Sequence, residues 1–345
     1  MLPLNSSARD LKSVPLHPTL LAFSCAAAFA ALAPSELVAK LLRNALLVCV
    51  AILLLDIALT KYHLWQFTPM SPQEKHFALI TGASSGIGKE MAFQLAAKSY
   101  SLIIAARNKD ALQRVKIEIE ALYVPQVQVE TYACDLSTRE GIRKLIDFVN
   151  ENELTVDILI NNAGASWTSE FLDLSDRQVD ELLTLNVIST TKLSHAIVPQ
   201  MVARGVGHVL NIASMSAAIS IPTAALYGSS KSFVLNLSQA MSYELRGTGV
   251  TVTCVCPGPV HTNFGSAAHC DASIYMNTPG LALDVKECAR RALASMFSGD
   301  TDFYDTLVSR WGAALFRMLL PTRLGTLIAA VSMNEPKKML TLIRR

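Results

Sequence analysis

The chain of 345 residues is 51% hydrophobic, and its 30 Lys and Arg against 28 Asp and Glu leave a formal charge of only +2. That balance offers no concentrated basic face, which argues against nucleic acid as a partner. So high an apolar fraction predicts that part of the chain sits in lipid.

Residues 1–74 read as a membrane-anchor region with apolar stretches at 19–33 and 37–60. A spanning helix needs about 20 apolar residues. The second stretch qualifies if Lys40 and Arg43 snorkel to a headgroup layer. The first is short, and reads as a second span, a re-entrant piece or an interfacial helix. A cleaved signal peptide fits less well, because the leading segment is long and weakly basic. Asp56 is costly inside the second stretch unless it meets an interface or a partner helix. Lys40 and Arg43 on one side balance Lys61 and Lys75 on the other, so orientation is undetermined.

From 76 onwards, short β-rich runs alternate with amphipathic stretches. Strands are predicted at 77–81, 101–106, 128–133, 156–160, 208–213 and 250–255, with helices such as 86–98 and 110–122 between them. Nearly continuous Val, Ile and Leu runs separated by helices predict an α/β fold. Its doubly wound parallel sheet would be covered on both faces, over residues 75–300. Residues 301–345 differ again. Tyr304, Leu307, Val308, Trp311, Leu315 and Met318 fall near a 3.6-residue period, Pro321 breaks it, and "RLGTLIAAV" resumes it. This tail reads either as a helix docked on the domain's own core or as a membrane-surface helix lining a substrate mouth.

The first strand runs into "TGASSGIGKEMAFQL" (81–95). Gly82-Ala83-Ser84-Ser85-Gly86 satisfies the nucleophile elbow of serine hydrolases. Gly82, Gly86 and Gly88 also suit a turn that brings a helix N-terminus against a pyrophosphate. The elbow would need an oxyanion loop from an earlier strand and a later acid–His pair, and neither is evident. It also leaves Gly88 unused. At the end of the second strand, an NAD enzyme would place an acid to hold the ribose 2′-OH. Here Ala105 and Ala106 occupy that place and Arg107 follows, a guanidinium suited to a 2′-phosphate. NADP(H) is therefore the expected cofactor.

The seven cysteines (Cys25, Cys49, Cys134, Cys254, Cys256, Cys270 and Cys288) include no Cys-x-x-Cys, and the Cys254/Cys256 pair, in an apolar β-like run, lacks further His or Cys partners at ligand spacing. They read as buried thiols in a reducing compartment, and no metal is predicted.

Further motifs follow in order: "CDLS" (134–137), "NNAG" (161–164), Asn186 in "LLTLNVIST", Ser214 in "LNIASMS", Tyr227 and Lys231 in "YGSSK", and "PGPVHT" (257–262). Together with the glycine motif, this set resembles the short-chain dehydrogenase/reductase superfamily over roughly 75–300. The resemblance implies a Rossmann fold and a catalytic set of Asn186, Ser214, Tyr227 and Lys231. Cofactor contacts are implied from Gly82, Ser84, Ser85, Gly86, Ile87 and Gly88, from Arg107, and from Asp135 and Leu136 near the adenine. Asn162, Ala163 and Gly164 belong to the same set, as do Tyr227 and Lys231, and Pro257, Gly258, Val260 and Thr262.

The spacing has its own logic. Tyr227 and Lys231 stand at i and i+4 and share a helix face. A nearby ammonium favours phenolate and draws a tyrosine from its free value of about 10 towards neutrality. The implied reaction is hydride transfer from NADPH to a carbonyl carbon, with Tyr227 as the proton donor. Ser214 would bond the substrate oxygen, and Asn186 would hold a relay water to Lys231. Ser216 reads as structural, His261 as a solvated loop residue, and the Asn236 sequon as unmodified.

The expectation is a membrane-anchored, NADPH-dependent reductase of a lipophilic carbonyl: a 3-oxoacyl chain, a long-chain ketone or aldehyde, or a steroid or retinoid. The endoplasmic reticulum is expected by analogy with anchored relatives, and a homodimer or homotetramer through long helices by analogy alone. The alternatives are an NAD(P)⁺-dependent alcohol or hydroxysteroid dehydrogenase running in the oxidative direction, and a silent NADP(H)-binding scaffold or regulator.

Overall fold

The computed structural model of the protein describes residues 40, 43, 44, 47, 51, 76–123, 127–262, 282–304 and 322–333. The chain forms two units, Met1–Tyr62 and His63–Arg345. In the first, the five described residues are helical and exposed. The anchor stretches 19–33 and 37–60 otherwise lie outside the described residues. Among those described, no helix is long and apolar enough to cross a membrane.

In the second unit, β1 (His76–Thr81), α1 (Gly86–Ala96), β2 (Ser101–Ala106), α2 (Lys109–Tyr123), β3 (Val129–Ala133) and α3 (Arg139–Glu151) lead to β4 (Thr155–Asn161). Then come α4 (Asp176–Leu183), α5 (Ser189–Arg204), β5 (Gly207–Ile212), α6 (Ala225–Glu244), β6 (Val250–Cys256), α7 (Val285–Ser298), β7 (Asp302–Tyr304) and α8 (Thr322–Met333). The strands form one sheet in the order β3-β2-β1-β4-β5-β6-β7, and every pairing is parallel.

Alternation along the strands sends successive side chains to opposite faces. Ile80, Ile104 and Ile158 pack with Met91 and Leu95 of α1, Leu112 and Ile119 of α2, and Leu293 and Met296 of α7. Leu79, Ile103 and Leu159 face the other way, onto Ile142 and Leu145 of α3 and Leu193 and Ile197 of α5. Val234 and Leu235 of α6 join Cys254 and Cys256 of β6. Burying each such aliphatic side chain is worth about 1.5–3 kcal/mol, so both faces of the sheet hold it together. Cys134, Cys254, Cys256 and Cys288 are free thiols, the last three buried.

The six predicted strands are present, with ends within a residue of expectation. The seventh, β7, corrects one detail: Tyr304 ends a strand rather than starting the tail's helical stripe. Residues 305–321 lie outside the described set. Beyond them α8 covers the resumed pattern, burying Ala329 and exposing Leu324, Leu327 and Ile328.

The switch in strand order between β1 and β4 fixes where function sits. In an open parallel sheet, the loops leaving the carboxyl ends on either side of such a switch diverge and leave a crevice.

Candidate active site

The glycine turn, "CDLS", "NNAG", Ser214 and "PGPVHT" all follow carboxyl ends of strands of this sheet. β1 delivers the chain to Gly82, whose φ of +66° lies in the left-handed region. At Gly88 a Cβ would stand 2.4 Å from Asn162 Nδ2 and 2.6 Å from Gly82 O. These two glycines let the turn fold back on itself and onto the end of β4. The Thr81 hydroxyl donates to Ile160 O at 3.2 Å and accepts from the backbone N–H of Asn162 and of Ala163, both at 3.0 Å. The Asn162 amide donates to Thr81 O at 2.9 Å and Gly82 O at 3.3 Å. The glycine turn and the "NNAG" turn are thus one hydrogen-bonded unit.

The turn has the chemistry of an anion site. Ser85 precedes α1 but makes no side-chain cap bond, and no acid lies in the first turn of α1. The first N–H groups of the helix remain for a ligand, at the positive end of its dipole. Thr262 lies over this end, its Cγ2 3.5 Å from where a Cβ on Gly86 would be. The loop that carries it is tied down: Met215 N donates to Pro257 O at 2.9 Å, and Leu283 N to Pro259 O at 2.8 Å.

Arg107 is exposed at the end of β2 and enters no ion pair among the described residues. Asp135, after β3, accepts from Ser137 N and Ser137 Oγ at 2.9 and 2.7 Å. The Leu136 side chain belongs to the second core cluster, so its backbone is what it can offer the crevice. Backbone donors, an uncapped helix end and a guanidinium at the second strand fit a phosphorylated dinucleotide.

The other half of the site comes from α5 and α6. Lys231 is 4% exposed. Its Nζ donates to Ile212 O at 2.8 Å and lies 5.8 Å from the centre of the Tyr227 ring. No carboxylate pairs with it among the described residues. Burial pushes its pKa down to about 8, against a smaller upward pull from the Cys254 and Cys256 thiols. Asn186 is 1% exposed in a π-turn (Thr184–Ile188) between α4 and α5. Its amide donates to Ala165 O at 3.0 Å and Ser230 Oγ at 2.9 Å, and its oxygen accepts from Ala165 N at 3.0 Å. A Cβ on Gly164 would lie 3.2 Å from Lys231 Nζ and 3.4 Å from Asn186 Oδ1, which places both at the "NNAG" turn.

Ser214 caps a short 3₁₀ turn (Met215–Ala218), its oxygen accepting from Ser216 N at 3.2 Å. Ser214 is half-buried, while Ser216 is 3% exposed and recessed into the protein. His261 is exposed on its loop, and Asn236 sits within α6, bonded to Ser232 O. Among the described residues, no cluster of His, Cys, Asp or Glu could hold a metal. The substrate loop, 263–280, lies outside the described residues.

Sequence reasoning missed three members of this arrangement. The π-turn interrupts what reads as continuous helix. The Ile212 carbonyl is backbone and leaves no signature. Ser230, which donates to Tyr227 O at 2.7 Å while accepting from Asn186, had one signal: a hydroxyl beside Lys231 on a helix.

A family model described as short chain dehydrogenase matches residues 76–271. A very-long-chain 3-oxoacyl-CoA reductase of Pyrenophora tritici-repentis is 37% identical over 186 residues, 52% of this chain and 53% of that protein. The match thus spans about half the length of that curated relative. A short-chain dehydrogenase from Sphingobium yanoikuyae, solved in complex with NADPH, superposes with a TM-score of 0.63 at 30% identity, covering 69% of this chain and 91% of that one. A bulky-bulky ketone specific alcohol dehydrogenase from Comamonas testosteroni gives 0.60 at 27% identity, covering 72% and 91%.

Proposed function

The chain belongs to the short-chain dehydrogenase family, and from that premise we propose that it is an NADPH-dependent reductase of a lipophilic carbonyl compound, held at a membrane by its N-terminal region. One observation carries the reading. A buried ammonium, with a carbonyl for a partner instead of a carboxylate, lies beside the Tyr227 ring at the "NNAG" turn.

When bound, the nicotinamide supplies the hydride; the protein supplies placement and charge. Tyr227 gives its proton to the carbonyl oxygen, and the Lys231 charge stabilises the phenolate left behind. Ser214 donates a hydrogen bond to the same oxygen as charge develops on it. Asn186, fixed by Ala165 and Ser230, holds the floor of the site beside Lys231. Arg107 meets the 2′-phosphate and selects NADP(H). The name of the Pyrenophora relative favours a 3-oxoacyl substrate, and the apolar stretches 19–33 and 37–60 favour delivery from a bilayer.

The test is a carbonyl panel with the full chain in detergent, 3-oxoacyl thioesters included, followed by NADPH oxidation. The expected result is turnover by the wild type and none by Tyr227→Phe with NADPH binding retained. Equal turnover by the two proteins, or NADPH binding without turnover across the panel, refutes the reading. The second outcome would favour a binding scaffold.

A further inference from the structure

β5 grips the Lys231 helix at two points. Ile212 receives the Lys231 ammonium on its carbonyl, and the residue before it, Asn211, donates from its side chain to Ser238 Oγ at 2.8 Å. Lys231 and Ser238 are seven residues apart, about two turns, so they share the inner face of α6. Both are buried there.

Asn211 does not act alone. The parallel ladder sets Asn161 of β4 directly beside it. The Asn161 amide donates to Asn211 Oδ1 at 2.8 Å and to Ser194 Oγ of α5 at 3.2 Å. Ser194 lies about two turns beyond Asn186. Both helices are therefore tied, about two turns beyond a site residue, to one pair of amides. Asn161, Ser194, Asn211 and Ser238 are 4%, 2%, 0% and 0% exposed, so water does not compete for these bonds.

The surroundings make the pair selective. Its neighbours on this face of the sheet are Val209, Leu159 and Cys254. The hydrophobic effect is non-directional, whereas a hydrogen bond fixes a distance and an angle. A buried amide that loses its partner costs about 1–3 kcal/mol, so only one height for each helix satisfies both. The pair is no simple gain in stability either. Asn161 Oδ1 is buried with no donor among the described residues. Setting register is the best-attested use of such buried asparagines.

We infer that the Asn161–Asn211 pair is a positioning device for the proton-transfer site: it sets the axial register of α5 and α6 and so brings Asn186, Tyr227 and Lys231 together at the "NNAG" turn. The catalytic part of this inference rests on the carbonyl reduction proposed above. Misplacing reacting groups by about 1 Å costs about 100-fold in rate, so a helix slide of less than one residue's rise of about 1.5 Å is enough to matter.

The test replaces the polar pair by apolar side chains of similar volume, Asn161→Leu/Asn211→Leu, in the full chain. With NADPH and the best carbonyl of the panel, kcat should fall about 30-fold while both KM values stay within about threefold, a split expected of lost positioning. A looser α6 admits water to Lys231, so the pH at which kcat falls on the alkaline side should rise by about one unit. A second readout needs no substrate: the pH midpoint for acetylation of Lys231 by acetic anhydride, followed by mass spectrometry, should rise with it. Ser238→Ala removes one hydroxyl and guards against misfolding of the double variant; it should shift both readouts in the same direction by less. An unchanged acetylation midpoint, or a kcat loss that tracks only the folded fraction, overturns the inference. A wild type without carbonyl turnover would sink the reductase reading instead, and the acetylation midpoint would still decide the register claim.

Discussion

The two edges of the sheet treat buried charge in opposite ways. At the amino edge, Asp157 has a side chain only 6% exposed, and it is compensated twice: Arg204 Nη2 donates to it at 3.0 Å, and His76 Nδ1 bonds its other oxygen. His208, nearby, is buried against Phe297 and bonded to Thr251 Oγ1 at 2.8 Å. Burial pushes its pKa down to about 4, so it stays neutral at ordinary pH. At the carboxyl edge, Lys231 is as deeply buried, at 4% for each residue, and has a carbonyl where Asp157 has a guanidinium and an imidazole. A charge buried without a counter-ion is costly. The proposed function gives that charge a use beside Tyr227. On the proposed function, the compensated charge supports the fold, while Lys231, which has no carboxylate partner among the described residues, is the charge put to use.

The contrast is most readily broken at Asp157. Asp157→Ala leaves Arg204 bonded only to Val156 O, at 2.7 Å, and takes the carboxylate from His76, and should destabilise the protein by about 1–3 kcal/mol in urea unfolding. The kcat of the remaining folded enzyme should be unchanged. A large loss of kcat would mean that the amino edge serves catalysis as well.

His208 tests the same edge through pH. Its folded pKa lies below the unfolded value, so the unfolded chain binds the extra proton. Stability should therefore fall as pH drops from about 6.5 towards 4, by about 3 kcal/mol at most. In His208→Gln this part of the acid-side slope should vanish. Lys231 obeys the same sign in another window: stability should rise with pH between about 8 and 10.5, while activity falls as the ammonium is lost.

The smallest effect belongs to Arg107, exposed and remote from both buried groups. Arg107→Glu should raise KM for NADPH about 10–100-fold and leave stability within about 0.5 kcal/mol. Unchanged NADPH kinetics would remove the 2′-phosphate assignment.

The two edges also differed in how far the chain disclosed them. At the carboxyl edge, the glycine turn and the Tyr227–Lys231 spacing were legible from the residues themselves, and Asn162 and Ser214 through the family resemblance. Six strands were legible because their apolar runs are long and bounded by turns. β7 has three residues and leaves no pattern. The π-turn at Asn186 changes hydrogen bonding without changing apolar spacing. The grip on Lys231 uses the Ile212 backbone, which any residue would provide. At the amino edge, nothing nearby in sequence joins His76, Asp157 and Arg204; only strand order and the end of α5 bring them together. The Asn161–Asn211 pair was hidden likewise, since its meaning depends on parallel register.

The most direct test of an uncompensated, working charge is Lys231→Met, with hydride transfer in a single turnover and the thermal midpoint measured on one preparation. The two should move apart. The rate should fall by about 10³-fold, while the midpoint rises because a buried ammonium costing about 3 kcal/mol has been replaced by an apolar side chain. A rate within tenfold of wild type, or a midpoint that falls along with the rate, would contradict it.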